Sequence, residues 1–215
     1  MNTSFSKELI ISVDIEADGP IPGDYSMTSI GASAAGYMTS DGNVVKLDAS
    51  LPENQFYAEI KPISPLWVPE AFKVGLFTDF KGDDLVAKRA HIEAVGETAG
   101  DAMDRFAEWL NKVTADNGAK TPIFAAYPLG YDWMWTYWYL MKFAKNGSPF
   151  GHSRHVDIKS YFAGKAGTMI SKSVKQKMPS SLKPKTAHTH MALDDAIEQG
   201  ELFMNLLNWK KDDNS

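Results

Sequence analysis

The ten residues ELIISVDIEA, at positions 8–17, alternate with period two. Leu9, Ile11, Val13 and Ile15 share one face, and Ile10, Ser12, Asp14 and Glu16 share the other. A strand written this way needs an apolar layer against its first face. Its second face starts apolar and ends in two carboxylates about 7 Å apart along the strand. Like charges in that position either decorate a strand end or await a cation, and the rest of the chain must decide which.

The following segments predict a mixed architecture. A turn-rich loop holds Gly19, Pro20, Pro22 and Gly23. The stretch MTSIGASAAGYM (27–38) predicts a second strand, whose small residues suit a closely packed helix. Asp41-Gly42 signals a hairpin leading through VVKLDA towards NQFYAEIKPI (54–63), so the first third reads as an antiparallel meander. Pro62, Pro65 and Pro69 then break regular structure. Met103, Phe106, Leu110 and Val113 are spaced for an amphipathic helix over 100–113. TPIFAAY (121–127) predicts a short buried strand, with a turn, PLGY, and then a helix opened by Asp132. HVDIKSYF (155–162) predicts a further strand, and residues 192–211 a closing helix. This order implies one α/β domain over 1–215 with a mixed sheet, residues 1–7 and 211–215 being flexible ends.

Composition removes several function classes. The absence of cysteine excludes disulfides and thiolate chemistry. No window approaches the roughly 18 apolar residues of a membrane span. The start, MNTSFSKELI, lacks a basic region followed by an apolar core, so the expected compartment is the cytoplasm. The net charge of -5 is not the basic footprint usual for a nucleic-acid binder. Its distribution is uneven, however. Between Ile158 and Leu193 there is no acid, while Lys159, Lys165, Lys172, Lys175, Lys177, Lys183 and Lys185 all fall inside. Such a track is a solvated loop unless it borders a site that handles phosphate.

Three further residues complete a pattern with Asp14 and Glu16. Asp132 follows a predicted strand, and Asp195 lies one turn into the last helix, five residues after His190. Singly, each has a structural explanation: an Asp at a helix start is commonly a cap, and a histidine before a helix commonly faces solvent. The ordered set has no such explanation. In VDIEADG, YPLGYDW and HMALDDA the chain resembles the DEDD-superfamily 3′–5′ exonucleases of the DEDDh type, which include ribonuclease T, oligoribonuclease and polymerase proofreading subunits. The third motif is the most specific, through its His-x4-Asp spacing. One departure stands out: Pro128 occupies the position where the family's second motif commonly has Asn.

The resemblance implies an RNase H-like fold of five strands, three antiparallel, with helices on both faces. It implies hydrolysis of phosphodiesters from the 3′ end of single-stranded RNA or DNA, releasing nucleoside 5′-monophosphates. Two Mg²⁺ or Mn²⁺ ions are the implied cofactors, because hard cations choose oxygen ligands and a paired site serves both nucleophile and leaving group. By the same resemblance Asp14 bridges the ions, Glu16 and Asp195 hold the one carrying the attacking water, Asp132 supports the other, and His190 is the general base.

Beside these, Lys183 and Lys185 are candidates for backbone phosphates, on a segment (163–189) that reads either as a mobile flap or as simple disorder. Tyr131 and Trp135 are candidates for base stacking, although aromatics on a helix more often fill a core. His188 reads as exposed and uninvolved, despite an HTH sequence that could suit a transition metal. Asp18 and Asp24 read as loop acids. Two alternatives are a phosphodiesterase for dinucleotides or very short oligonucleotides, and an inactive nucleic-acid-binding module on the same fold. Related enzymes are often homodimers, and only the aromatic surplus here points that way.

Overall fold

The computed structural model describes residues 6–211. The chain runs through β1 (Lys7–Ala17), β2 (Met27–Thr39), β3 (Val44–Lys46), β4 (Gln55–Glu59), α1 (Pro69–Val74), α2 (Leu85–Val95), α3 (Ala99–Asp116), β5 (Pro122–Ala126), α4 (Leu129–Phe143), β6 (His155–Asp157), α5 (Ile158–Ala166) and α6 (Ala192–Asn208). Strand β1 pairs antiparallel with β2 and parallel with β5, which continues parallel to β6. Both β3 and β4 pair antiparallel with β2, β3 opposite Gly36–Met38 and β4 opposite Ser29–Ser33. Strands β3 and β4 therefore share one row beside β2, and the six strands keep the five rows expected of an RNase H-like fold, three antiparallel and two parallel.

The two faces of β1 seed two cores, as its alternation predicts. Leu9, Ile11, Val13 and Ile15 pack with Phe106 and Leu110 of α3 and Trp135 and Tyr139 of α4. Ile10 packs on the other side with Ile158 and Phe162 of α5 and Leu202, Phe203 and Leu206 of α6. Helix α3 is capped by Thr98, whose hydroxyl accepts the Asp101 N–H at 3.1 Å, and its Met103, Phe106, Leu110 and Val113 are all buried. Helix α6 lies unusually close to the sheet. A Cβ on Gly31, the β2 partner of Asp14, would fall 2.2 Å from the Ala192 carbonyl carbon. Only glycine lets the first turn of α6 approach the strand that carries the acids.

Several expectations need correction. Residues 158–162 are helical, not strand: the Asp157 carboxylate accepts the Ser160 N–H at 2.6 Å and starts α5 there. Helix α4 begins at Leu129, so Asp132 lies within its first turn and does not open it. Helix α6 ends at Asn208, where Lys165 Nζ takes the carbonyls of Leu206 and Leu207 at 2.8 and 2.9 Å. The region after Pro62 holds α1 and α2, with Pro69 as the first helical residue of α1, a position that needs no N–H. Segment 163–189 has defined local structure in place of the expected flap or disordered run. It finishes α5 and then runs in short 3₁₀ turns anchored by buried Ser173, Met178 and Leu182. Of the expected flexible ends, residues 1–5 and 212–215 lie outside the described residues, and Lys7 belongs to β1. Among the described residues, no helix is long and apolar enough to cross a membrane.

Candidate active site

Asp14 and Glu16 project from the same face of β1, and the first turn of α6 carries Asp195 up to them. Carboxylate oxygens of all three lie within 4.8 Å of one another. Asp195 is held rigidly: its Oδ1 accepts the Thr189 N–H at 2.8 Å and its Oδ2 the His190 N–H at 3.0 Å. Asp132 stands behind the three, its Oδ1 accepting the N–H of Ile15, the residue between Asp14 and Glu16, at 3.2 Å. The three sequence motifs thus converge on one end of β1.

Crowding of acids has an electrostatic cost that the structure displays. Burial, and then the charges of Asp132, Glu16 and Asp195, push the Asp14 carboxyl well above the usual carboxylate range. Burial first, followed by Asp195 and Asp132, raises Glu16 to about 8. Burial raises Asp132 to about 7, although the Ile15 N–H opposes it. Lys175 and Lys88 are near enough to pull Asp14 and Glu16 down, respectively. Both ammonium groups are committed elsewhere. Lys175 pairs with Glu198, and Lys88 donates to the carbonyls of Phe72, at 2.9 Å, and Gly75. An all-oxygen donor set, desolvated and with neither nearby lysine bonded to it, suits a hard divalent cation.

His190 sits at the rim with its imidazole exposed and its backbone in the left-handed region at φ 65°. Its N–H is bound by Asp195, and its carbonyl accepts the Leu76 N–H at 2.8 Å. The loop after α1 forms the opposite wall, where Gly75 stands so close to Glu16 that an added Cβ would lie 2.9 Å from its side chain.

The other candidates divide. Tyr131 is partly exposed beside the acids, its hydroxyl donating to the Gly19 carbonyl at 2.8 Å. Trp135 is fully buried in the core, which removes it as a stacking surface. Lys183 and Lys185 line a cavity of about 450 Å³ with Lys46, Glu201 and Asn205, along α6 from the acids. Within the lysine track it is Lys175 whose charge reaches the acids. His188 is exposed, as expected, yet its Nδ1 lies 3.0 Å from Asp195 Oδ2. Asp24 is an exposed loop acid, whereas Asp18 is not: it is wholly buried and paired with Arg89 at 2.6 Å. Pro128 follows a cis peptide bond and precedes α4.

Sequence reasoning missed Gln199. Its amide donates to the Val13 carbonyl at 2.9 Å and to Asp14 Oδ1 at 3.4 Å, while its Oε1 accepts the Tyr127 N–H at 2.7 Å. One buried side chain therefore ties α6 to β1 and to the end of β5 beneath Asp14. A glutamine in a helix carries no motif, so nothing in the sequence flagged it.

No protein-family model matches the chain. The Escherichia coli 3′–5′ DNA exonuclease Cap18 is 32% identical to it over 197 residues, 92% of this chain and 90% of that protein. In structure the chain is similar to a 3′-exonuclease that recognises the 3′ end of a histone mRNA stem-loop. That similarity has a TM-score of 0.60 at 10% identity and covers 95% of this chain and 64% of the other. Escherichia coli Exonuclease I in complex with a dT13 oligonucleotide aligns with a TM-score of 0.51 at 13% identity, over 94% of this chain and 40% of that one. The structural likenesses establish the fold, and the relative with near full-length similarity establishes the family. The chain belongs to the DEDD-type 3′–5′ exonucleases, enzymes that hydrolyse nucleic acid from its 3′ end.

Proposed function

We propose that the enzyme removes nucleotides from the 3′ end of single-stranded DNA as 5′-monophosphates, using two Mg²⁺ or Mn²⁺ ions and His190 as general base. The observation that carries this reading is the convergence of Asp14, Glu16 and Asp195 within 4.8 Å, with Asp132 hydrogen-bonded between the first two. The near full-length similarity to a DNA exonuclease supports DNA over RNA.

Asp14, Glu16 and Asp195 would hold one ion, and Asp14 with Asp132 the other. Bound cations would supply positive charge to the attacking oxygen and to the 3′-oxygen that leaves. The residues of the chain do the rest. The exposed His190 imidazole takes the proton of the attacking water. Asp195 fixes the backbone from which that imidazole projects. Gln199 holds Asp14, which would serve both ions, from below. Tyr131 offers an aromatic face beside the acids for the terminal base. Lys183 and Lys185 would meet backbone phosphates farther along the strand.

A 3′-labelled oligonucleotide assay tests this, run on DNA and RNA with Mg²⁺, Mn²⁺ or EDTA. Stepwise release of mononucleotides, faster on DNA and abolished by EDTA and by Asp14→Ala, is expected. Activity that survives either treatment overturns the mechanism, and faster RNA cleavage overturns the substrate assignment.

A further inference from the structure

Asp195 belongs to two clusters. On one side it joins Asp14 and Glu16, and on the other its carboxylate meets His188 and His190, again with all three donor atoms within 4.8 Å of one another. The second cluster has different chemistry. Two imidazoles and one carboxylate favour a borderline transition metal such as Zn²⁺ or Co²⁺, whereas the all-oxygen set favours Mg²⁺ or Mn²⁺.

The geometry is close to what such an ion needs. Tetrahedral zinc with bonds of 2.0–2.1 Å sets its donors about 3.3 Å apart. His188 Nδ1 and Asp195 Oδ2 are already 3.0 Å apart, and the two imidazole rings stand 4.5 Å apart, nearly edge to face. Both histidines are exposed, so modest side-chain rotation closes the set without moving the sheet. The backbone between them is fixed. Thr189 and His190 donate to Asp195, and the Thr189 hydroxyl donates to Asp194 Oδ2 at 2.9 Å.

We infer that His188, His190 and Asp195 form a transition-metal site whose occupation stops hydrolysis. An ion bound there takes the lone pair of His190 that would accept the proton of water, and it competes for a carboxylate oxygen of Asp195. Zinc at this place therefore inhibits and does not activate. His188 belongs to the inhibitory cluster alone, which makes it the residue that separates the two functions. The binding half of this inference stands on the cluster itself, and the inhibitory half rests on the proposed roles of His190 and Asp195.

The test uses the full chain and His188→Ala in saturating Mg²⁺, so that the all-oxygen site is occupied. Calorimetric titration with Zn²⁺ should show one equivalent bound to wild type and at least tenfold weaker binding to the variant. Titration with Co²⁺ should give wild type a visible absorption band of tetrahedral cobalt that the variant lacks. His188→Ala should keep its Mg²⁺-dependent nuclease activity and need at least tenfold more Zn²⁺ for half-inhibition. Equal Zn²⁺ binding, or equal Zn²⁺ inhibition, in the two proteins overturns the inference. If neither protein cleaves DNA with Mg²⁺, the proposed function fails while the zinc and cobalt titrations still judge the site.

Discussion

Asp14 and Asp18 are four residues apart at the end of one strand, and the protein treats the two carboxylates in opposite ways. Asp18 is provided with a cation of its own. Arg89 meets it at 2.6 Å while also donating to the Ser64 carbonyl at 2.6 Å, and the Ser26 N–H adds a bond at 2.6 Å. Asp14 is given more acids. Its neighbours are Glu16, Asp132 and Asp195, and the nearby ammonium groups are bonded elsewhere. A fold that can neutralise a buried carboxylate internally, and does so four residues away, has left the other cluster for a charge from solution. The paired acid holds the architecture together, and the unpaired acids are available for chemistry.

That contrast can be broken first at its catalytic end. Asp14→Asn should lower nuclease activity about 10³-fold, the scale of losing one electrostatic partner of the transition state. The same change should leave the EDTA-treated protein as stable as wild type or more so, because it removes a repelling charge. Asp18→Asn should do the reverse to stability. Arg89 would remain buried with only the exposed Glu93, at 3.3 Å, as an acidic partner, at a cost of about 3 kcal/mol. That corresponds to a fall in Tm on the order of 10 °C by calorimetry. Equal thermal penalties in the two variants would erase the distinction.

Smaller effects sharpen it. Gln199→Leu preserves bulk but removes the amide under Asp14, and should weaken Mg²⁺ about 10–100-fold in an activation titration. A mild effect on Tm alone, with unchanged Mg²⁺ dependence, would mean that Gln199 only joins α6 to the sheet.

A last effect is in pH dependence. Glu16 titrates near 8 in the metal-free fold against 4.5 in the unfolded chain, so the folded state keeps a proton that the unfolded state releases between those values. Stability of the metal-free protein should therefore fall as pH rises through that window. Saturating Mg²⁺ should flatten the slope by taking the place of the proton. Melting curves in EDTA and in Mg²⁺ between pH 5 and pH 8 check both statements, and a rising metal-free Tm contradicts the first.

The strand end was legible because a period-two pattern carrying two carboxylates leaves few placements, and the amphipathic spacing of α3 was equally plain. Helix α2 was not. It buries Lys88 and Arg89, residues that any reading of pattern assigns to water, because carbonyls and Asp18 receive their charges. Helix α5 was misread as strand, since its short apolar run carries Ile158 and Phe162 at helical spacing but is too brief to settle the period. At the site, the four acids and His190 could be named because their order forms a motif. Gln199 could not, because its partner Val13 is 186 residues away and a hydrogen bond to a carbonyl leaves no trace in composition. Trp135 and Tyr131 look alike in sequence; only packing distinguishes the one inside α4's core face from the one at the cleft.

The left-handed backbone of His190 has a consequence for how an inactive form of this enzyme should be made. Asparagine tolerates that conformation better than most residues, and glycine tolerates it freely, whereas β-branched side chains do not. His190→Asn therefore deletes the proposed base while keeping the turn that presents Asp195 and receives the Leu76 N–H. It is the variant of choice for trapping a bound 3′ end. His190→Val would distort the same turn, and its inactivity would report on geometry as much as on proton transfer.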